Sequence, residues 1–329
     1  MNQVYYDNSQ LSAFKECPRK YYLRHVLGWT GTGTSMPLAF GSCWHAAMDA
    51  LWGGYSSRTS DSNLLIDAAK AFNTTWVENG LPPTSGLTPD MLEKWGARTP
   101  YVAMEMLYSY LEKRKATFDN PSFELESVEQ PFAVPIYPNR SDVWYIGKLD
   151  KTFLLNGSRI IGEHKTTSEY KIDGGFKSTW LDSWSPSSQI EGYMYAGNLY
   201  FDGGVRYVWV DGALVHKKVH DAFKFIPIAA NLSSLDGWLW EVRNWIEEVN
   251  IEKDKLANGA DKGDYLTCFR RNTDACTGKY GPCTYKNICS NIQNPAKLET
   301  PPEGYKVEFW YPFDVLKIDR LGGEFTKPK

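Results

Sequence analysis

The sequence predicts an α/β protein, and three observations predict it. The first third carries helical periodicity. Between about Phe123 and Thr166 the texture changes to β-branched and aromatic runs broken by Pro, Asn and Gly. Beyond that, helical and strand patterns alternate until a long amphipathic segment leads into a cysteine-rich stretch.

Taken in order, Asn8 or Ser9 can cap a first helix whose apolar positions Leu11, Phe14, Tyr21 and Tyr22 carry it to about Val26, with Gly28 as its stop. Pro18 interrupts this run, so a kink or two short helices are expected. GSCWHAAMDALW reads as a second helix, and helical patterns follow at about 61 to 78 and 92 to 116. Three strands are expected from Phe123 to Thr166, then a helix from Ser188 to Tyr200. VRYVWV and FKFIPIA read as strands, and Leu235 to Leu256 as a long helix. The tail after the cysteines has no strong periodicity. The organisation expected is a mainly helical region over 1–120, an α/β core over 121–230, and the long helix, cysteine segment and tail over 231–329, integrated as one domain.

At 42% hydrophobic and 15% aromatic residues, the 329-residue chain can build a real core. MNQVYYDNSQ has neither a basic nor an apolar leader region, and no apolar run has bilayer-spanning length, so a cytoplasmic protein without a membrane partner is expected. A net formal charge of −3 argues against a broadly basic nucleic-acid coat, while leaving room for a local patch. In a reducing compartment six cysteines are poor disulfide candidates, and four of them crowd into Cys268 to Cys289, which points to metal ligation.

LLNGSRIIGEHKTT, Leu154 to Thr167, carries the chemistry. Asn-Gly between apolar runs signals a two-residue hairpin turn, with Leu155 and Ser158 as flanking partners. Counting outward sets Asp150 opposite Glu163 and Lys148 opposite Lys165. Directly opposed Cβ atoms lie roughly 4.5 to 5.5 Å apart, and like charges there are destabilising unless a cation sits between them. A divalent cation suits that place. Alternation puts Lys165 on the face of Glu163, with Phe153, Ile160 and Leu149 on the other, toward a core. A three-residue loop would instead move His164 opposite Asp150, and surface charges on an exposed hairpin edge are the plain alternative.

GKLD…GEHKTT, with Asp150, Glu163 and Lys165, resembles the core motif of the PD-(D/E)XK nucleases, in particular the RecB-like branch that includes CRISPR-adaptation and AddB-type nucleases. GSCWH, ending at His45, is similar to that branch's upstream G-x-x-x-H, and QIEGY, Gln189 to Tyr193, to its downstream Q-x-x-x-Y. CPRKYYL at Cys17 and ACTGKYGPCTYKNIC at Cys276, Cys283 and Cys289 resemble the cysteine motifs of members that hold an iron–sulfur cluster. The order and rough spacing agree from about 9 to 290. Leu149-Asp150 stands where the strict pattern has Pro-Asp, and about forty C-terminal residues match no motif of the branch.

The resemblance implies a restriction-endonuclease-like core, a central mixed β-sheet flanked by helices, with an N-terminal helical region and a C-terminal cysteine cap. It implies catalytic roles for Asp150, Glu163, Lys165, Gln189 and Tyr193. It also implies a Mg²⁺ or Mn²⁺ site formed by His45, Asp150, Glu163 and the backbone carbonyl of His164. Oxygen ligands suit either ion and the imidazole favours Mn²⁺. Gln189 and Tyr193 share a helix face and could hold the substrate backbone or Lys165; an ordinary half-buried pair is the alternative. Cys17, Cys276, Cys283 and Cys289 would hold a [4Fe-4S] cluster, with Zn²⁺ as the alternative filling and Cys268 as a possible substitute for Cys17. Such a cluster would staple the N-terminal helix to the C-terminal segment. Cys43 reads as a small buried hydrophobe.

Arg19, Lys20 and Arg24, interleaved with Tyr21 and Tyr22, suggest phosphate contacts and base stacking, against the alternative of a solvated helix face. Trp180 and Trp184 are stacking platforms or core residues. The function expected is a metal-dependent DNA nuclease: an exonuclease on ends or single strands in recombination, repair or replication of a phage or bacterial genome, in the host cytoplasm if phage-encoded, and a possible associate of recombination or replication proteins. A non-catalytic nucleic-acid-binding or scaffolding protein of the same fold, and a structure- or sequence-specific endonuclease, are the alternatives.

Overall fold

The computed structural model describes residues 3–57, 59–171, 175–229, 231–278 and 281–316. A short strand, β1 (Val4–Tyr6), precedes helix α1 (Asn8–Glu16). The cap of α1 is Asp7, one residue before the expected caps, because its carboxylate accepts from the Gln10 backbone N–H at 2.7 Å. Helix α1 stops at extended Cys17, and Pro18 opens α2 (Pro18–Tyr21), followed by one π turn over Tyr22–Val26. Proline is tolerated there because the first helical position needs no N–H. Strand β2 (Trp29–Gly31) follows, then α3 (Met36–Ser56) and α4 (Asp61–Glu78). The helix expected over 92 to 116 is two helices, α5 (Pro89–Trp95) and α6 (Pro100–Phe118). Gly96 takes φ 66° after α5, and Thr99 caps α6 by accepting from Val102 N–H.

The three expected strands are β3 (Phe123–Tyr137), β4 (Arg140–Leu155) and β5 (Ser158–Thr167). Beyond them come α7 (Ser178–Asp182), α8 (Ser188–Tyr200), β6 (Tyr207–Leu214), β7 (Phe223–Ala229), α9 (Leu232–Ala257) and α10 (Lys286–Asn291). Among the described residues, six strands form one mixed sheet in the order β1-β4-β5-β6-β7, with β3 also on β4. The β1–β4 and β5–β6 pairs are parallel, and the β4–β5 and β6–β7 pairs antiparallel. This is the mixed sheet flanked by helices that the sequence implied. No helix among the described residues is long and apolar enough to cross a membrane.

The chain divides into two compact units, each built from separated stretches. One comprises the described residues of 1–33, 133–147 and 233–326, and the other 34–132 and 148–232. In the first, Val4–Tyr6 pairs with Val143–Tyr145, and α9 presents the buried stripe Leu235, Trp238, Val242, Ile246 and Val249 at helical spacing. Trp238 packs edge-on to Tyr145, and the Tyr6 hydroxyl reaches Asn250 at 3.1 Å. Part of the unpatterned tail, Tyr305–Val307, pairs with β2. In the second unit, α3, α4 and α6 bury Phe40, Trp44, Trp52, Phe72, Trp76 and Leu107 with Phe153 and Ile160 of the sheet. Leu149 is also fully buried. On the opposite pleat, Ile161 faces α8, where Gly197 leaves room for it.

Candidate active site and cysteine pocket

The hairpin turn sets the geometry of the site. Asn156 and Gly157 take φ of 49° and 72°, the left-handed pair that a type I′ turn demands. Leu155 then pairs with Ser158, and the ladder runs on to Lys151 opposite Gly162. It ends one step short of Asp150 and Glu163. At that step the Asp150 Oδ2 accepts from the His164 backbone N–H at 2.8 Å. Lys148 pairs with Glu129 of β3.

Glu163 is 1% exposed. Its Oε1 is ion-paired with Lys165 and accepts from Gln189 of α8 at 3.0 Å. Gln189 also donates to the Tyr193 hydroxyl at 2.8 Å, so Gln189 orients Glu163, with Tyr193 buried behind it. From α3, His45 brings its Nδ1 to 3.4 Å from Asp150 Oδ2. Sequence reasoning missed Asp49, one helical turn after His45. Burial, Glu129 and Asp150 push its carboxyl up to about 7. The signal was the i,i+4 spacing of two polar residues on an otherwise apolar helix.

The charges are tightly coupled. Burial opposes ionisation of Asp150, but His45, joined by His164 and Lys165, outweighs it and holds the carboxyl below the usual range. Burial, then Asp150, push Glu163 up. Burial disfavours the Lys165 ammonium, yet Glu163 and Asp150 hold its pKa above normal. Trp184 stands beside this ammonium, its ring centroid 5.9 Å from Nζ. Trp180 is a core residue packed on Phe176 and against Gly212, not an open platform.

Among the described residues, no three His, Cys, Asp or Glu side chains already stand as a closed metal-ligating group. At this site Lys165 and Gln189 both engage one oxygen of Glu163. The other, Oε2, is buried with no hydrogen-bond partner, which is costly for a carboxylate unless a cation meets it. With Asp150 and His45 alongside, the donor set is the oxygen-and-imidazole type that Mg²⁺ and Mn²⁺ accept. These residues fit a divalent cation.

The cysteines come together in the first unit. Cys17, Cys276, Cys283 and Cys289 line one pocket with Lys20 and Arg271. Asn272 bridges them, its backbone N–H donating to Cys17 Sγ at 3.3 Å and its carbonyl lying 3.9 Å from Cys276 Sγ. Burial pushes the Cys289 thiol up to about 11. Four soft donors thus line one pocket, although among the described residues no three of them stand as a metal-ligating group. Cys268 is buried and does not line that pocket. Cys43 is fully buried, 3.8 Å from Asn79 Nδ2.

The four residues expected to contact nucleic acid separate into two pairs. Arg19 is 4% exposed and donates through Nε to the Phe269 carbonyl at 2.9 Å, and Tyr22 is 1% exposed against the Phe269 ring. Both are packing residues rather than surface contacts, because the helical register turns them toward the cysteine segment. Lys20 is half-buried and pairs with Glu16, and half-buried Arg24 donates to the Glu308 carbonyl at 2.7 Å.

No curated protein matches the chain. Among solved structures, one described as "Crystal structure of SSO0001" shares 13% identity over 47% of this chain and 69% of that chain, at a TM-score of 0.25, a likeness too low to carry an argument. A family model described as PD-(D/E)XK nuclease superfamily matches residues 8–290, a span that takes in the hairpin, the histidine helix, the glutamine helix and the cysteines. The chain therefore belongs to the PD-(D/E)XK nuclease superfamily.

Proposed function

We propose that this nuclease-superfamily protein is a metal-dependent DNA exonuclease acting on ends or single strands, in recombination, repair or replication. The observation that carries the reading is the meeting of Lys165 and Gln189 on Glu163, whose Oε2 is buried without a partner, within electrostatic reach of the His45–Asp150 pair. His45, Asp150, Glu163 and the His164 carbonyl would hold Mg²⁺ or Mn²⁺. When bound, the cation supplies Lewis-acid stabilisation of the scissile phosphate and a more acidic water. Lys165 directs its ammonium at the attacking water and offsets negative charge in the transition state. Gln189 keeps Glu163 in place, and Tyr193 backs Gln189. The half-buried Trp184 ring beside Lys165 favours an unpaired base in the site. Lys20 and Arg24 contribute phosphate contacts, and the net charge of −3 suits a narrow track better than broad duplex wrapping.

Cys17, Cys276, Cys283 and Cys289 hold a [4Fe-4S] cluster in the same reading, supported by their shared pocket. These four thiols would thereby tie the N-terminal helix to the C-terminal segment.

The test incubates the protein with end-labelled single- and double-stranded DNA and with circular DNA, with Mn²⁺, Mg²⁺ or EDTA. The expected result is metal-dependent release of nucleotides from ends, abolished in Lys165→Ala. Equal cleavage by Lys165→Ala overturns the mechanism. Discrete fragments from circles assign an endonuclease instead, and DNA binding without turnover a scaffold.

A further inference from the structure

Behind the carboxylates, on the opposite pleat, lies a charged network that the proposed chemistry does not use. Lys151, next to Asp150, is 1% exposed. Its stem crosses Gly162, where a Cβ would lie 2.8 Å from Lys151 Cγ and 3.1 Å from Cδ. Only glycine leaves that path open. The ammonium then lies 3.6 Å from the centroid of the Trp52 ring, against both ring nitrogens of His164 and 3.5 Å from Asp211 Oδ2. Asp211 is in turn held by Arg114 and by the Tyr110 hydroxyl, which accepts from Trp52 Nε1 at 2.9 Å. His164 Nδ1 also lies 3.4 Å from Asp211 Oδ2, so Lys151, Arg114 and the His164 ring gather round one carboxylate.

A buried ion network of this kind adds little stability over apolar packing of the same volume. Its position suggests another use. His164 has its ring in the network and its backbone N–H on Asp150 Oδ2 at 2.8 Å. Fixing the ring fixes the peptide, and the peptide fixes the carboxylate.

We propose that Lys151 and Asp211, acting through the His164 ring, are positioning residues that hold the Asp150 carboxylate and the His164 peptide in metal-binding geometry from the far side of the sheet. The proposal rests on the divalent-cation reading of the site. Outer partners of this kind change metal affinity by about 10- to 100-fold.

The experiment measures Mn²⁺ binding to the full chain by the loss of the free-ion electron-paramagnetic-resonance signal, alongside thermal melting and the Mn²⁺ dependence of DNA cleavage. Two variants are compared with wild type. Lys151→Met keeps the stem and removes the ammonium, and His164→Phe keeps a ring and removes its nitrogens. At a melting temperature near wild type, each is expected to bind Mn²⁺ at least tenfold more weakly. The rate at saturating Mn²⁺ should change much less than the half-saturating concentration. Unchanged affinity in a folded variant overturns the proposal. Failure of both variants to fold also overturns it, by assigning the network to stability alone. Wild-type protein that takes up no Mn²⁺ removes the cation reading itself, a result distinct from equal binding by wild type and variants.

Discussion

Gly162→Ala tests the packing behind the motif strand. The added methyl would lie 2.8 Å from Lys151 Cγ, 3.1 Å from Cδ and closer still to Cε, inside the range that packed carbons tolerate, so the lysine stem must leave its path. Overpacking a filled site costs about 1–3 kcal/mol. A desolvated cation–π contact such as Lys151 on Trp52 contributes about 2 kcal/mol. Gly162→Ala should therefore destabilise the fold by about 3 kcal/mol. With a urea slope of about 1–3 kcal/mol/M, the midpoint falls by about 1 M or more. In Lys151→Ala the crossing stem is gone, while Asp211 still has Arg114 and Tyr110, so adding Gly162→Ala there should cost less than about 0.5 kcal/mol. The coupling in this cycle should exceed about 1 kcal/mol. Costs that add within about 0.5 kcal/mol would refute the claim that the lysine stem is why glycine precedes Glu163.

Gln189→Ala should lower Mn²⁺-dependent cleavage about 10- to 100-fold without unfolding the protein, since it frees Glu163 from its donor at 3.0 Å; cleavage rates and circular dichroism check both halves. On the proposed iron–sulfur reading, Cys276→Ser should lose visible absorption and bound iron while Cys268→Ser keeps both, because of the two only Cys276 lines the shared pocket; iron and sulfide analysis decides. Burial holds His25 down to about 4, with Arg24 and Lys253 adding. A depressed histidine favours the fold fully above its unfolded pKa of about 6.5 and loses that contribution as pH falls toward 4, at most about 3 kcal/mol. His25→Phe should therefore flatten urea stability between pH 6.5 and 4 relative to wild type.

Local rules carried much of the fold. Asn156-Gly157 fixed a turn whose register can be counted from sequence, and the ladder from Leu155–Ser158 to Lys151–Gly162 follows that count. Periodicity found α4 and α9 because each buries one stripe over several turns. What escaped was non-local. Strand β1 has three residues and exists only through its pairing with β4, and Tyr305–Val307 only through β2. Nothing local in the sequence marks Lys151 and Asp211, since only the folded sheet turns them inward together. Arg19 and Tyr22 looked like a basic aromatic face for the same reason. Their true neighbour, Phe269, lies far along the chain.

The span between Cys17 and Asn272 also bears on the order of synthesis. The Cys17 thiol accepts from an amide 255 positions later, and at about 5–20 residues per second that partner emerges roughly 10 to 50 s afterwards. During that interval Cys17 leaves the ribosome with none of the other three pocket cysteines made. Any cofactor these four thiols hold must arrive after most of the chain has been synthesised. A nascent chain stalled before Cys276 would expose Cys17 to alkylating reagents, and the finished protein would shield it.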